Sequence, residues 1–386
     1  MAQIIGTSPE DLRRAADALV QGKLVAIPTE TVYGLGGNAL IGSAVKSIYA
    51  VKGRPPTDPL ICHVYTLDGA CRLWDQKWDE GAVELACTIG AALWPGPLTI
   101  VCKANPTLPD CVTGGSGYVG ARIPNNPVAL KLLEMVDAPV AAPSANTFGH
   151  VSPTTAQHVY DDLAARDPEL LIIDGGQSAI GIESTVAKVE SKDLVVVLRR
   201  GCITVSMIHR AIAGRYPQTR VEIRDTRIMC DPAKALMVSP GQLLTHYSPH
   251  VPSSLLTPGS LGALTASADV PVYVHRGKDV VPLCETIVLD FNGYLSRFKD
   301  ACLSYHDMSP DGNPEEGCYA VFDALRATET VKGAKGLVFP LISEWPHAKA
   351  KADLLAAMED RLFRAASGVT AVLINEAAPA SARHTD

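Results

Sequence analysis

The stretch that decides the fold runs from Gly22 to Val64 and reads GKLVAIPTETVYGLGGNALIGSAVKSIYAVKGRPPTDPLICHV. It opens with an apolar run, Leu24 to Ile27, of the kind that forms a buried strand. Pro28 ends this run, and hydroxyl, carboxylate and glycine residues follow it. Because glycine allows tight turns and a close approach of the backbone to a ligand, we expect a ligand-binding turn here.

The second half of the stretch predicts a helix followed by two cations. The helix extends from about Ser43 to Val51 and leads into Lys52-Gly53-Arg54. If this tripeptide is extended, both cationic side chains leave the same face. Two fixed cations suit a polyphosphate, because Arg grips oxygen atoms in a bidentate manner and Lys adds a point charge. The alternative, and the commoner role of such a tripeptide, is a solvated turn.

Length and composition set limits on the class of protein. The chain of 386 residues is long enough for about two domains, and its net charge of −7 argues against broad nucleic-acid binding. No apolar run approaches the roughly 18 residues of a membrane span, and the N-terminus has no apolar signal segment. We therefore expect a cytoplasmic protein without membrane contact.

Ten cysteines without a CxxC pair predict reduced, mostly buried thiols rather than a zinc site.

Further polar motifs follow predicted strands. Ser144 and Asn146 lie just past a strand predicted from Ala138 to Ala142, at the kind of edge where α/β sheets bind ligands. Ser152 precedes a proline, so it is predicted either to cap a helix or to hold phosphate or ribose, and a helix N-terminus is itself an anion site. Residues 181–186, GIESTV, predict a glycine-rich loop that enters another strand.

Taken together, these motifs resemble those of a known family. PTETVYGLG at 28–36, KGRP…PL..H at 52–63, PSAN…SPT at 143–154 and STV at 184–186 are similar to the YrdC-like threonylcarbamoyl-AMP synthases. The run SPG…HY.P at 239–249 resembles the signature of the long form of this family. In that form the linker between the domains folds back over the nucleotide pocket.

The resemblance implies an α/β fold with two domains. A YrdC-like twisted open sheet with helices is expected over residues 1–215, a linker over 216–250, and a smaller Rossmann-like three-layer α/β/α domain over 251–378. Residues 379–386 are predicted to be a disordered tail. The alternating pattern after Val251 independently predicts the second domain, with strands at 254–256, 270–275, 286–290, 336–341 and 369–374, and helices at 294–305, 318–327 and 347–366.

The resemblance also implies an activity. L-threonine, bicarbonate or CO₂, and ATP would give threonylcarbamoyl-AMP and pyrophosphate, with Mg²⁺ bridging the phosphates. Downstream proteins would transfer the threonylcarbamoyl group to adenosine in tRNA, and a contact with tRNA is included in this expectation. Two alternatives stay open. The first is a carbamoyltransferase that forms a carbamoyl-adenylate, although the chain has no room for the second catalytic domain that such enzymes usually have. The second is a non-enzymatic RNA-binding module, which the acidic net charge disfavours.

The functional residues of the family carry over onto matching positions of this chain. Lys52 and Arg54 are the expected catalytic cations. The expected ATP contacts are Lys52, Arg54, Asp58, Tyr118, Ser144, Asn146, Ser152, Arg199, His246 and Tyr247. The expected threonine contacts are Thr31, His63, Arg122, Ala142 through its backbone, and Ser184, with Arg122 pairing the threonine carboxylate. The metal ligands are not predictable from the sequence.

Two of these positions leave alternatives open. The family usually has Asn where this chain has Asp58, and a carboxylate repels a triphosphate unless a cation lies between them. Asp58 could instead be a metal ligand. His63 is expected in the site, with a buried core histidine as the alternative. No Ser-His-Asp or Cys-His arrangement is recognisable, so positioning without a covalent enzyme intermediate is expected to suffice.

Overall fold

The structure is a computed structural model that describes residues 1–224, 246–261, 264, 271–345 and 352–375. The chain forms two compact units. The first comprises Met1–Phe148 and Ser152–Leu244, and the second comprises Gly149–Val151 and Thr245–Asp386. Among the described residues, no helix is both long enough and apolar enough to span a bilayer.

The first unit is built on a mixed sheet whose described strands number eleven, in the order β1-β8-β2-β3-β7-β4-β6-β5-β9-β10-β11. In chain order these strands are β1 (Gln3–Ile5), β2 (Val25–Ile27), β3 (Gly34–Asn38), β4 (Ile61–His63), β5 (Leu98–Lys103), β6 (Tyr118–Arg122), β7 (Val140–Ala141), β8 (Leu171–Ile173), β9 (Thr185–Ser191), β10 (Leu194–Arg199) and β11 (Arg220–Ile223). The helices are α1 (Pro9–Val20), α2 (Gly42–Lys52), α3 (Leu67–Arg72), α4 (Glu80–Leu93), α5 (Asp110–Thr113), α6 (Pro127–Val136), α7 (Ala156–Leu163) and α8 (Val205–Ile212).

Helices cover both faces of this sheet, because its central strands are apolar on both sides. Along β2, Leu24 and Ala26 join the core that contains residues of α2, α4 and α7, whereas Val25 and Ile27 join the core formed with α1 and α6. Alternate side chains of a strand point to opposite faces, so a continuous apolar run serves two cores at once. The buried strand predicted at the start of the deciding stretch is confirmed.

The glycine-rich run after Tyr33 forms a strand and not the expected turn. It is β3, which pairs antiparallel with β2 on one side and with β7 on the other. A Cβ atom at Gly36 would lie 2.6 Å from Ile27 Cδ1 and 3.0 Å from the carbonyl oxygen of Val25. Glycine at this position therefore allows close packing inside the sheet.

The first unit also extends further along the chain than expected. Residues 220–223 form β11, which runs parallel to β10 with Val221 opposite Val195. The linker expected from residue 216 therefore does not begin there. Most of that predicted linker, residues 225–245, lies outside the described residues, and so does the SPG motif within it.

The second unit contains a parallel sheet and a smaller antiparallel one, and the predicted α/β organisation is confirmed. The parallel order is β12-β17-β15-β16 and the antiparallel order is β14-β13-β18. The elements are β12 (Ser253–Leu256), β13 (Tyr273–Arg276), β14 (Asp279–Pro282), β15 (Thr286–Asp290), β16 (Ser304–Asp307), α9 (Pro314–Thr328), β17 (Gly336–Pro340), α10 (Ala352–Ala365) and β18 (Val372–Ile374). Residues 376–386, with the predicted tail, lie outside the described part of the chain.

The helix predicted at 294–305 is wrong. A short 3₁₀ turn, Ser296–Phe298, stands there and leads into β16. The buried carboxylate of Asp290 accepts the backbone N–H groups of Phe291 and Leu295, each at 2.8 Å, and the hydroxyl of Tyr305 at 2.7 Å. This carboxylate satisfies backbone donors of the segment locally, so no helix is needed to pair them.

One pair of cysteines departs from the expected reduced thiols. Cys71 of α3 and Cys87 of α4 are joined in a disulfide. Elsewhere the expectation of small buried hydrophobes holds for Cys62 and Cys102, which are buried in the core of the first unit. Burial raises the pKa of the Cys62 thiol to about 12, so this side chain stays a neutral thiol at physiological pH.

Candidate active site

A buried arginine ties three parts of the first unit together. Arg122 ends β6 and lies opposite His63 in the parallel register of β4 and β6. Its Nη1 donates a hydrogen bond to Thr31 Oγ1 at 2.9 Å, and its Nη2 lies 2.7 Å from Glu30 Oε1. Its Nε donates to the carbonyl oxygen of Gly96 at 3.3 Å. The segment that follows β2 is thereby fixed to the end of β6.

The conformation of that segment is set by its own hydroxyl groups. Thr29 Oγ1 donates to the carbonyl oxygen of Val32 at 2.6 Å and lies 2.8 Å from Thr31 Oγ1. The backbone N–H groups of Thr31 and Val32 donate back to Thr29 Oγ1 at 3.2 and 3.3 Å. A threonine hydroxyl that bonds to nearby backbone groups closes a turn, and this turn presents Glu30 and Thr31 to Arg122.

His63 lies beside the arginine as a neutral side chain. Burial lowers the pKa of its imidazole to about 3, and the positive charge of Arg122 acts in the same direction. A ring with this pKa cannot accept a proton at physiological pH, so it is unsuited to general base catalysis. It can still donate or accept a hydrogen bond as a neutral imidazole.

The two cations of the KGR motif are not presented on one face of an extended segment, as was expected. Lys52 is the last residue of α2, and Gly53 ends the helix in the left-handed conformation with φ of 66°. Lys52 Nζ donates to the carbonyl oxygens of Ser144 and Asn146, both at 2.5 Å. The N–H of Phe148 donates to the carbonyl oxygen of Lys52 at 2.8 Å. Lys52 therefore fixes the segment after β7 to the end of α2.

Arg54 supplies the cation that Asp58 requires. Its Nη2 lies 2.8 Å from Asp58 Oδ1 and donates to the carbonyl oxygen of Pro59 at 3.0 Å, and both charged side chains are buried. Burial raises the pKa of the Asp58 carboxyl, although the charges of Arg54, Lys52 and Arg199 oppose this effect. Burial, followed by the charge of Arg54, holds the pKa of Lys52 well below its usual value. The charges of Lys52, Arg54 and Asp58 therefore influence one another's protonation.

Arg199 organises a third part of the site. Its Nε donates to the carbonyl oxygen of Ser184 at 3.0 Å, and its Nη2 donates to Ser184 Oγ at 3.1 Å. Ser184 Oγ also lies 2.8 Å from Thr99 Oγ1 of β5. A Cβ atom at Gly201 would lie 2.5 Å from the backbone nitrogen of Thr185, so only glycine allows the chain after β10 to pass this close.

Ser152 does not cap a helix. Helix α7 begins at Ala156, and its cap is Thr155, whose side chain accepts the N–H of His158 at 3.3 Å. Ser152 instead is buried, and its hydroxyl donates to Glu183 Oε1 at 2.5 Å. Several hydroxyl residues precede this helix, and Thr155 is the one that caps it. The hydroxyl of Ser152 binds buried Glu183 instead.

Tyr118 and Ala142 are less closely associated with these groups. The ring of Tyr118 lies 3.9 Å from Lys188 Nζ and makes an edge contact with Trp78. The N–H of Ala142 donates to the carbonyl oxygen of Ile61 at 2.9 Å. A threonine contact through the backbone of Ala142 would therefore come from its carbonyl oxygen, and both of these contacts stay predictions.

His246 and Tyr247 belong to the second unit. Both are buried, and Tyr247 has a positive φ of 62°. The Tyr247 ring packs against Phe322 with 5.2 Å between centroids, and the guanidinium of Arg361 lies 5.9 Å from it. Their predicted contact with the nucleotide stays a prediction.

The site spreads along the sheet and is not confined to one edge of parallel strands. His63 lies opposite Val140, at the start of β7, whereas Gly34 bridges to Ser144, beyond the end of β7. Four residues of extended chain span about 13 Å. Both neighbours of β7, β3 and β4, run antiparallel to it, so the rule for parallel sheets does not explain this arrangement.

Two buried carboxylates, those of Glu30 and Glu183, belong to this region and were not predicted from the sequence. Glu30 pairs with Arg122, and Glu183 accepts the hydroxyl of Ser152. The available signal was their place in the motifs PTETVYG and GIESTV, where each acidic residue stands beside predicted site residues. This signal is weak because acidic residues are usually exposed. In addition, the partners of Glu30 and Glu183 are distant in sequence.

Comparison with known families covers most of the chain. Residues 17–201 match the model of the Sua5, YciO and YrdC family, described as telomere recombination, and residues 203–367 match the C-terminal domain of threonylcarbamoyl-AMP synthase. The threonylcarbamoyl-AMP synthase of Bacillus subtilis is 38% identical over 252 residues, which are 65% of this chain and 68% of that protein.

The chain belongs to the YrdC-like family of threonylcarbamoyl-AMP synthases, in its two-domain form.

Two further comparisons, one with a sequence and one with a solved structure, support this assignment. The threonylcarbamoyl-AMP synthase of Pyrococcus abyssi is 41% identical over 238 residues, which are 62% of this chain and 65% of that relative, slightly less than two thirds of its length. The crystal structure of P. abyssi Sua5 complexed with L-threonine has a TM-score of 0.69 and 29% identity, and the match covers 95% of this chain and 97% of that one.

The low pKa of His63 predicts a loss of stability in mild acid. The unfolded chain binds a proton on this ring near pH 6.5, whereas the folded chain binds it only near pH 3. Stability is therefore lost as the pH falls through this window, by roughly 2 kcal/mol between pH 6.5 and 5. We expect His63→Asn to lose less unfolding free energy than the parent between pH 7 and 5, measured by urea unfolding. Equal losses of unfolding free energy in both proteins would contradict the low pKa of His63.

Proposed function

We propose that this protein is an L-threonylcarbamoyladenylate synthase. It makes threonylcarbamoyl-AMP and pyrophosphate from L-threonine, bicarbonate or CO₂, and ATP, and downstream proteins transfer the threonylcarbamoyl group to adenosine in tRNA. We also propose a cytoplasmic location, because the product is consumed on tRNA. Support comes from the membership in the family and from the relatives that carry this name.

The observation that carries the proposal is the partly engaged guanidinium of Arg122. A guanidinium has five N–H donors. Thr31, Glu30 and Gly96 engage Nη1, Nη2 and Nε, and this leaves up to one further N–H on each terminal nitrogen. Donors on neighbouring guanidinium nitrogens can match the two oxygens of a carboxylate. In our proposal the carboxylate of L-threonine binds there, beside neutral His63.

The second group of cations suits the nucleotide. Lys52, Arg54 and Arg199 all act on the charge of Asp58, so they are close enough to stabilise a shared anion. In our proposal these cations hold the phosphates and stabilise the charge that develops on their oxygens during the reaction. Ser144, Asn146 and Ser152 belong to the segments that Lys52 and Glu183 fix in position, and they complete the nucleotide contacts.

The chemistry needs positioned substrates and no covalent enzyme intermediate. The amino nitrogen of threonine attacks the carbon of CO₂ and loses a proton, which gives an N-carboxylated threonine. An oxygen of the new carboxylate attacks the α-phosphorus of ATP, and the bond to the β-phosphate oxygen breaks, so pyrophosphate leaves. Because the reaction builds up negative charge on phosphate oxygens, fixed cations contribute most when they are positioned in advance.

Mg²⁺ fits this site as a companion of ATP and not as a resident ion. The described residues around Lys52 and Arg54 contain no group of three carboxylate or imidazole ligands. The carboxylate of Asp58 already faces Arg54 at 2.8 Å. Mg²⁺ commonly binds through substrate phosphates and water with one or two carboxylates, and there it would neutralise phosphate charge.

The direct test is pyrophosphate release from ATP with single components omitted. We expect release in the presence of L-threonine, bicarbonate and Mg²⁺, and loss of release when either threonine or bicarbonate is left out. The adenylate itself should appear with the mass of threonylcarbamoyl-AMP. Release with carbamoyl phosphate in place of threonine and bicarbonate would indicate a carbamoyltransferase instead. A folded protein without ATP turnover under either condition would leave only a binding function.

A second prediction concerns Asp58, where the family usually has Asn. Asp58→Asn keeps an oxygen acceptor for Arg54 and removes one negative charge beside Lys52 and Arg199. A unit charge at this range changes an interaction by about 1–2 kcal/mol at an effective dielectric constant of 20. We therefore expect an ATP analogue to bind Asp58→Asn about tenfold more tightly, measured by titration calorimetry.

The matched control for this prediction is Asp193→Asn. Asp193 is exposed in the turn between β9 and β10, so its replacement removes the same formal charge without altering the site. We expect no change in nucleotide affinity for the control. Unchanged or weaker nucleotide binding by a folded Asp58→Asn protein would show that this carboxylate does not oppose the phosphates.

A further inference from the structure

We propose that His150, His250 and Glu329, all in the second unit, form a binding site for a divalent transition-metal ion, with Zn²⁺ as the best match. The three residues come from three separate parts of the chain, and their donor atoms all lie within 4.8 Å of one another. The activity proposed above assigns no role to this group. The ion would be distinct in place and in chemistry from the Mg²⁺ that accompanies ATP.

Two of the three distances between the donor atoms are close to what zinc requires. His150 Nε2 lies 3.0 Å from Glu329 Oε1, and His250 Nδ1 lies 3.1 Å from the same oxygen. Donors about 2.0–2.1 Å from a tetrahedral Zn²⁺ ion lie about 3.3 Å from each other. The two imidazole nitrogens lie within 4.8 Å of each other, so these two donors have to move closer together before all three can reach one ion.

The backbone around the donors is already fixed. The N–H of Ser248 donates to the carbonyl oxygen of Gly149 at 2.9 Å, which joins the segments that carry the two histidines. The N–H of His250 donates to Glu329 Oε1 at 2.7 Å, which joins its segment to the end of α9. Arg326 of α9 donates to the carbonyl oxygen of Val151. Little backbone order remains to be gained on binding, and this favours affinity.

One side chain has to turn before the ion can bind. The two imidazole rings are stacked, with 4.7 Å between centroids and 18° between planes. A metal ion lies in the plane of each ring that ligates it, so stacked rings cannot share an ion. The His150 side chain is buried, but that of His250 is 80% exposed and can rotate. His250 is therefore the residue that closes the site, and its exposure leaves the fourth position to water.

The donor set selects the class of metal. Imidazole nitrogens suit Zn²⁺, Cu²⁺ and Ni²⁺, whereas Mg²⁺ and Ca²⁺ prefer oxygen ligands. Two histidines and one glutamate with an open fourth position are a known protein ligand set for zinc. Bound in this way, the ion would hold the segments of His150 and His250 to the end of α9.

The test uses the full chain after removal of metal by a chelator and dialysis. Titration with ZnCl₂ is expected to show one saturable site, and MgCl₂ at the same concentrations is expected to show none. We expect His250→Ala and Glu329→Gln to bind Zn²⁺ at least about tenfold more weakly. His306→Ala removes another exposed histidine of the second unit, in β16, and should bind like the parent.

Cobalt substitution separates this site from the thiols, since Cys284 is exposed and thiols also bind zinc. We expect Co²⁺ to give visible d–d bands without a sulfur-to-cobalt charge-transfer band, and His250→Ala to lack these bands. No saturable zinc binding by the parent would overturn the proposal. So would binding by His250→Ala that matches the parent, or a cobalt spectrum with thiolate character.

Discussion

The candidate site depends on one constraint, the need to pair the buried charge of Arg122. A buried ion costs several kcal/mol unless a partner of opposite charge and hydrogen bonds compensate it. Glu30, Thr31 and Gly96 provide that compensation, and they belong to two different segments of the first unit. By pairing one guanidinium, the chain therefore fixes the segment after β2 and the turn before β5 against the end of β6. Of the proposed threonine contacts, Thr31 and Arg122 are held in position by this pairing.

The remaining charges of the first unit follow the same principle. Arg54 compensates the charge of buried Asp58. Lys52 donates to two backbone carbonyl oxygens, and among the described contacts it has no carboxylate at hydrogen-bonding distance. Burial, together with the charge of Arg54, lowers the pKa of Lys52, so its positive charge is held at a cost. An anion placed beside Lys52 would act in the opposite direction and stabilise that charge. In the proposed function the phosphates of ATP would be that anion.

Much of this could be predicted from the sequence, because local patterns encode it. The apolar run at Leu24 predicted the central strand, and the motifs predicted the family and the α/β fold of both units. What failed depends on contacts between distant residues. The run Gly34–Asn38 pairs with β2 and β7 as a strand, and Ile27 and Val140 leave no room for a side chain at Gly36. Similarly, Ser152 looked like a helix cap in sequence, but a glutamate that follows much later in the chain binds it instead.

The most direct test of this account is the ratio of affinities for L-threonine and for L-threoninol, which lacks the carboxylate. It should be measured by calorimetry on the parent and on the double variant Arg122→Gln with Glu30→Gln, which leaves no buried charge unpaired. A charge-assisted hydrogen bond contributes about 1.5–3 kcal/mol, so the parent should prefer threonine by at least about tenfold, and the variant should lose this preference. An unchanged ratio in a folded variant would contradict the claim that Arg122 binds the carboxylate.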